Sequence, residues 1–241
     1  MESQSYDLEY AFSPGLMACY HGASRTTVTS TLPGVKALPD QALEISLTLK
    51  ILYQDRGDRL HVFISPIPVK STMDDRERTL PHLKCTYAMI DRRGTILEAT
   101  DTSILLIHPF PSEPVPLGHR WEREEYLQPA DTAEPLQTAT YYTLENECEI
   151  EGAPHLQIAF RTAAVSYPGY PGSPEKRTIT YRREGLLFFD PALGILSRID
   201  QTSTFYTEQR EGFVETTYYT TTELGEILED LSMLPMVPLS Q

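Results

Sequence analysis

Leu43-Glu44-Ile45-Ser46-Leu47-Thr48-Leu49-Lys50-Ile51-Leu52-Tyr53 decides the fold. Leu43, Ile45, Leu47, Leu49, Ile51 and Tyr53 fall on one face, and Glu44, Ser46, Thr48, Lys50 and Leu52 on the other. A period of two sends successive side chains to opposite faces, so this is a half-buried strand. Asp55-Arg56-Gly57-Asp58 supplies turn residues, and Leu60, Val62 and Ile64 then alternate with His61, Phe63 and Ser65. The two runs predict a hairpin.

The pattern repeats outward in both directions. Residues 84–91 and 95–99 flank Arg92-Arg93-Gly94, and 136–150 and 155–165 flank Glu151-Gly152-Ala153-Pro154. Residues 178–189 and 195–207 flank Asp190-Pro191-Ala192-Leu193-Gly194, and 213–222 returns across Gln209-Arg210-Glu211-Gly212. At the start, 6–12 and 16–32 flank Ser13-Pro14-Gly15. Twenty-six threonines and 14 tyrosines suit pleated, half-buried surfaces. Only 223–233 carries apolar residues at helical spacing (Leu224, Ile227, Leu228, Leu231), with Pro235 to stop it. It is predicted as one short C-terminal helix; residues 71–79 could form a helical turn. The class is all-β and mainly antiparallel: a large curved sheet, half-barrel or sandwich of about a dozen strands.

Organisation follows from one interruption. His108 to Gly118 holds Pro109, Pro111, Pro114 and Pro116, and proline cannot donate to a sheet ladder. The chain reads as a single β-rich domain over 1–241, with two possible halves, 1–107 and 119–241, joined by this segment. Residues 1–120 carry 12 basic and 14 acidic side chains, net −2; residues 121–241 carry 8 and 20, net −12.

That charge excludes some partners. A nucleic-acid binder clusters Lys and Arg; here the basic runs stop at pairs such as Arg92-Arg93 and Arg182-Arg183 within a net charge of −14. No nucleic-acid partner is expected, and anionic membrane surfaces are disfavoured on the same ground. Apolar runs such as Ile104-Leu105-Leu106-Ile107 are far too short for a transmembrane helix. Met1-Glu2-Ser3-Gln4 opens no signal peptide, so the expected location is cytoplasmic, or periplasmic or secreted if a leader has been removed. Cys19, Cys85 and Cys148 are odd in number and widely spaced, which predicts free thiols.

Several short steps carry a resemblance. Leu8-Glu9-Tyr10-Ala11-Phe12-Ser13-Pro14-Gly15 opens the chain, and Pro116-Leu117-Gly118-His119-Arg120-Trp121 makes a P-x-G-x-x-W step. Tyr141-Tyr142-Thr143-Leu144 and the return over 156–160 follow. Gly185 to Leu196 then makes a G-x-x-x-F-D-x-x-x-G-x-L step. This succession resembles the DUF6263-like bacterial family, whose members are similar to the LolA-like lipoprotein carriers. The resemblance implies a curved antiparallel sheet with an apolar groove, and it supplies no catalytic residues. The chain departs from the carriers in showing neither long lid helices nor a leader.

The chemistry-bearing motifs are missing: there is no G-x-S-x-G, P-loop, G-x-G-x-x-G or H-E-x-x-H. Cys19 with His21 and His82 with Cys85 could form a metal site only if the fold brought the two pairs together. Glu145, Glu147, Glu149 and Glu151 alternate on one predicted face and read as a solvated or aggregation-blocking surface. Arg56-Gly57-Asp58 reads as a turn, and Trp121 as a core anchor. No catalytic residue, metal or cofactor is assigned.

The leading function is a non-catalytic binding or interaction module. Leu43, Ile45, Leu47, Leu49, Leu156, Ile158 and Phe160 would line a concave face for a lipophilic small molecule. Phe110 in the proline-rich segment, and Tyr167 and Tyr170 in Tyr167-Pro168-Gly169-Tyr170-Pro171-Gly172-Ser173-Pro174, would be loop contacts for another protein. Two other classes fit an all-β chain: a hydrolase or isomerase using carboxylates in a barrel cavity, and a structural subunit of an assembly.

Overall fold

The computed structural model describes residues 4–33, 38–74, 76–100, 106–127, 136–168, 178–209 and 211–229. Fifteen strands run in order: β1 (Ser5–Tyr6), β2 (Leu16–Ser30), β3 (Leu38–Gln54), β4 (Leu60–Met73), β5 (Arg76–Glu77), β6 (Thr86–Ile90), β7 (Ile96–Ala99), β8 (Val115–Pro116), β9 (Arg120–Leu127), β10 (Leu136–Ile150), β11 (Ala153–Thr162), β12 (Val165–Pro168), β13 (Thr178–Asp190), β14 (Ile195–Gln209) and β15 (Gly212–Glu229). Thirteen of them form one open antiparallel sheet, and no helix occurs among the described residues.

The sheet order is β7-β6-β4-β3-β2-β15-β14-β13-β11-β10-β9, with β5 on β4 and β12 on β13. The first and last long strands are therefore neighbours at its centre, where β15 pairs with β2 from Val214 opposite Ser30 to Glu229 opposite Leu16. Strands from both sides of the proline-rich segment share this sheet.

The core is one cluster that draws on both wings of the sheet. It takes Leu49, Ile51, Leu60, Val62 and Ile90 from one wing and Trp121, Tyr142, Leu144, Ile158 and Leu187 from the other. Between the wings lie residues that belong to no strand: Leu8, Tyr10, Phe12, Leu106, Ile107 and Phe110. They act as an internal plug. Tyr10 stacks on Phe12 and Phe110 with ring centroids 4.8 and 4.9 Å apart, and Phe110 meets the edge of Phe189 at 5.2 Å. The plug hangs its backbone on the hairpin turns: Tyr10 N–H donates to Arg92 O, Ala11 N–H to Gly194 O and Phe110 N–H to Arg93 O. Two of those turns need glycine. Gly94 and Gly194 have φ of 77° and 60°, and an added Cβ would lie 2.4 Å from His108 O and from Ala11 Cβ respectively.

The hairpins predicted at 43–65, 136–165, 178–207 and 84–99 are present, and four expectations change. The C-terminal helix is absent: β15 runs unbroken to Glu229, and residues 230–241 lie outside the described part. The cause is a bulge. The register on β2 slips between Leu224 and Glu226, so one extra residue puts Leu224 opposite Tyr20 and Ile227 opposite Ala18, both against the core. An i,i+3 spacing that mimics a helix turn is thereby satisfied by a bulged strand. The described residues of 71–79 give no helical turn; β4 continues to Met73, and β5 folds back on Thr72 and Met73.

Residues 7–12 do not pair with 16–32. Only Ser5 and Tyr6 are extended, opposite Pro116 and Val115, and the alternation of Leu8, Tyr10 and Phe12 records burial in the plug. The proline-rich segment is no exposed contact loop at Phe110, which is fully buried because the plug uses it to fill the space between the wings.

Candidate functional site

The inner face of the sheet can be followed row by row through its register. Beside the plug it carries Ala18, Tyr20, Leu47, Leu49, Ile64, Leu144, Ile158 and Leu187, all buried. Towards the opposite ends of the same strands its character changes. Gly185 pairs with Gln201 and Arg183 with Ser203; Gln201 pairs with Thr220, Ser203 with Tyr218, Tyr218 with Thr26 and Ser24 with Leu43. One face is thus apolar at the plugged end and mixed polar and aromatic beyond it.

The nominated ligand residues split across that boundary. Leu47, Leu49, Leu156, Ile158 and Phe160 are core residues, 0–6% exposed, packed in the same cluster as the plug. Leu43 and Ile45 are half-buried and continue the inner face past it, and Ile45 fills the space that a side chain at Gly22 would need, 2.7 Å from its ideal Cβ. Of the nominated loop residues, Tyr167 is buried (3% exposed) against Tyr181. Pairing of β12 with β13 brings it there, so it is no exposed tip. Tyr170 lies outside the described residues.

A polar layer lies on the inner face of the wing formed by β9, β10, β11 and β13. Arg183 of β13 donates to Glu125 of β9 at 2.7 Å, although β11 and β10 lie between them. In a flat sheet their backbones would be about 14 Å apart; the long side chains meet over the inner face of this curled wing. Glu125 also accepts from the Thr140 hydroxyl at 3.0 Å and from the Tyr142 hydroxyl. Burial, and next the charge of Glu125, hold the Tyr142 phenol well above its ordinary range. The Arg183 guanidinium lies 5.4 Å from the Phe160 ring centroid, closing the apolar core below it. Two buried polar atoms in this layer have no hydrogen-bond partner: Arg183 Nε and Gln201 Oε1.

Beyond the polar layer an aromatic series crosses four strands. Tyr167 and Tyr181 pack together, Tyr181 meets Phe205 at 4.8 Å, and Phe205 meets the edge of Tyr218 at 5.7 Å. Exposure rises along it from 3% at Tyr167 to 38% at Tyr218. Glu125, Arg183, Gln201, Tyr181, Phe205 and Tyr218 are not among the residues that the sequence pattern singles out. A signal was present in β13, where Ile179, Tyr181, Leu187 and Phe189 share a face with Arg183. A cation on an apolar face needs a buried partner.

The outer face carries a separate groove of about 810 Å³ across β9, β10, β11 and β13. Its walls include Arg120, Glu122, Tyr141, Arg161 and Glu184, with Arg161 6.0 Å from the Tyr141 ring centroid. Trp121 turns inward instead, stacking on Tyr142 at 5.3 Å and donating to Pro109 O at 3.1 Å, as a core anchor does.

The other candidates resolve into structure. Among the described residues no three His, Cys, Asp or Glu side chains converge as metal ligands, so the two Cys/His pairs are not brought together. All three cysteines are free thiols, outside any disulfide. Cys148 neighbours His155, but His155 Nδ1 is used by Ala153 O at 2.9 Å and Nε2 faces Asp190 Oδ2 at 3.9 Å. Burial also raises the Cys148 thiol, the wrong direction for a nucleophile. The glutamate row is broken by a bulge between Leu144 and Asn146: Glu145 accepts from Gln157, whereas Glu147 takes the register of Leu156 and accepts from the Tyr6 hydroxyl. Arg56-Gly57-Asp58 is a turn held by Asp55 Oδ1, which accepts from Gly57 and Arg59 N–H. The Arg59 guanidinium on Asp55 keeps that carboxyl below the usual range.

No family model matches the chain, and no curated protein matches it. A solved structure shares its architecture. A structure of lipovitellin, titled for its lipid–protein interactions, superposes with a TM-score of 0.51 at 10% identity over 90% of this chain. The match takes in 26% of the lipovitellin chain, so this protein corresponds to about a quarter of it. Ail, the attachment invasion locus protein of Yersinia pestis, matches at 11% identity over 88% of this chain and 99% of its own, with a TM-score of 0.22. The class defined by fold is therefore a large open antiparallel sheet of the kind found within lipovitellin. Among the described residues no helix is long and apolar enough to cross a membrane.

Proposed function

We propose that this chain is a non-catalytic binding module that holds a lipophilic small molecule against the unplugged half of its inner face. One observation carries the reading. Past the cluster that Leu8, Tyr10, Phe12 and Phe110 help to fill, apolar side chains recur on the inner face at Leu43, Phe205 and Tyr218, with Ile45 at the edge of that cluster. These side chains are half-buried or, at Tyr218, exposed. A ligand covering them would gain about 25 cal/mol per Å² of apolar area before ordering costs. The likeness to lipovitellin, whose structure concerns lipid–protein interactions, supports the same reading. Leu47, Leu49, Leu156, Ile158 and Phe160 then form the floor under the site, and the ligand walls are the half-buried positions above them.

Titration with the neutral fluorophore N-phenyl-1-naphthylamine tests it, with native mass spectrometry of the purified protein alongside. Saturable uptake that weakens in Phe205→Asp is expected. No saturable uptake and no co-purifying lipid would remove the reading.

A further inference from the structure

Arg183 Nε and Gln201 Oε1 are both buried and both without a partner, and Arg183 as a whole is 6% exposed. They project from the same face of adjacent strands, since Arg183 is opposite Ser203 and Gln201 is opposite Gly185. One is a donor lacking an acceptor and the other an acceptor lacking a donor. Buried polar groups left in this way cost free energy that a complementary group recovers.

The surroundings fix what that group can be. Arg183 already has its counter-charge in Glu125, and Arg123, the other cation on this face, donates to Phe110 O at 3.1 Å. An anion would meet the Gln201 carbonyl oxygen and the Glu125 carboxylate, and a cation would meet the Arg183 guanidinium. A neutral group that accepts one hydrogen bond and donates another suits both atoms, and a hydroxyl is the smallest such group. Gln201 Nε2 is held by Ser203 Oγ at 3.4 Å, which directs the amide oxygen away from that neighbour. The Phe160 ring below and the Tyr181, Phe205 and Tyr218 series beyond supply apolar surface on either side.

Resting on the binding reading above, the geometry points to a ligand that is an uncharged amphiphile with a hydroxyl head, seated between Arg183 Nε and Gln201 Oε1 with its apolar chain along the aromatic series. The class is a long-chain alcohol, in preference to a fatty acid anion.

Displacement of bound N-phenyl-1-naphthylamine by three probes of equal chain length tests this. The probes are dodecan-1-ol, its methyl ether and dodecanoate. The alcohol is expected to displace the fluorophore about tenfold more effectively than the ether, which can accept from Arg183 but donate nothing to Gln201. Dodecanoate is expected to be weaker than the alcohol. Gln201→Met, close in size and without the acceptor, should bring the alcohol and the ether to equal potency while fluorophore uptake persists. Equal displacement by alcohol and ether in the unmodified protein would overturn the head-group assignment and leave the apolar reading intact. A preference that survives Gln201→Met would overturn the seat. Absence of any fluorophore uptake would remove both.

Discussion

The two ends of one sheet behave as different materials. At the plugged end, β3, β11 and β13 present Leu49, Ile158 and Leu187 inward, each with no exposure, against Tyr10 and Phe110. At the other end the same strands present Leu43, Thr162 and Arg183, and the interior is a polar layer followed by rings that run from buried at Tyr181 to exposed at Tyr218. The backbone ladder is continuous through both, so hydrogen bonding does not distinguish them. What differs is whether the described part of the chain supplies a second layer. A sheet buries one face only if something covers it. Here residues 7–12 and 106–115 cover one end, and the described part of the chain leaves the other end for hydroxyls and aromatic side chains.

The largest expected effect is therefore at the plug. Phe110→Ala should cost about 3–5 kcal/mol, because its ring packs on Tyr10 and Phe189 at zero exposure and the hole would lie between the two wings. Leu144→Ala should cost about 2–5 kcal/mol for the same reason. Urea denaturation with an unchanged slope would measure both. A loss under about 1 kcal/mol at Phe110 would mean that the plug is dispensable and that the two ends differ less than their packing implies.

The boundary between the ends comes next. Glu125→Gln should cost about 3 kcal/mol, since it leaves the Arg183 guanidinium buried without its counter-charge. Glu125→Gln combined with Arg183→Met should recover much of that loss. A double variant no better than the single one would show that the pair is not the stabilising unit.

How much of this was legible depends on which rule each segment obeys. Leu43 to Ile51 and the return from Leu60 were plain because their inner positions alternate as far as Ile51; a bulge at Leu52 then puts Tyr53, 49% exposed, off the core face. Strand β9 was not read, because Arg-Trp-Glu-Arg-Glu-Glu-Tyr-Leu faces the polar layer. Its inner positions Trp121, Arg123 and Glu125 include two charges, so hydropathy gives no period. Residues 224–228 looked helical because a bulge makes i and i+3 neighbours on one face, and the position of a bulge is set by the partner strand. Phe110 looked like a loop contact because prolines exclude a strand without excluding burial. The candidate site was half legible: Leu43 and Ile45 remain, whereas the Arg183–Glu125 layer depends on strands that meet only after the wing curls.

Alkaline pH sharpens the contrast, because three fully buried phenols, Tyr10, Tyr20 and Tyr142, belong to the core cluster of the plugged end. Burial raises Tyr10, Tyr20 and Tyr142 well above the ordinary value of 10.0. The unfolded chain therefore loses these protons first, and stability falls as pH rises above about 10, by up to about 1.4 kcal/mol per pH unit for each phenol. Below that range all three are protonated in both states and contribute no slope. Tyr20→Phe should remove one share of the alkaline slope, while costing about 1 kcal/mol at neutral pH through the lost bond to Leu196 O. An unchanged slope above pH 10 would show that the Tyr20 phenol is not protected.

The smallest effect on stability should accompany the largest on binding. Tyr218 is 38% exposed on the inner face beyond the polar layer, and its ring forms a T-shaped pair with Phe205. Such a pair contributes about 0.5–1.5 kcal/mol beyond burial, and the exposed part of the ring adds little. Tyr218→Ala should thus lower stability by about 1 kcal/mol, near 2–4 °C in melting temperature for a chain of this size. Leu144→Ala, on the inner face of β10, should lower it by two to five times as much. Fluorophore uptake should invert that order. Tyr218→Ala removes a wall of the open half and should weaken N-phenyl-1-naphthylamine binding several-fold. Leu144→Ala leaves the walls in place and should bind as before once measured below its melting temperature. If both variants weakened uptake in proportion to their loss of stability, the open half would be no site of its own. Binding would then follow the integrity of the whole sheet.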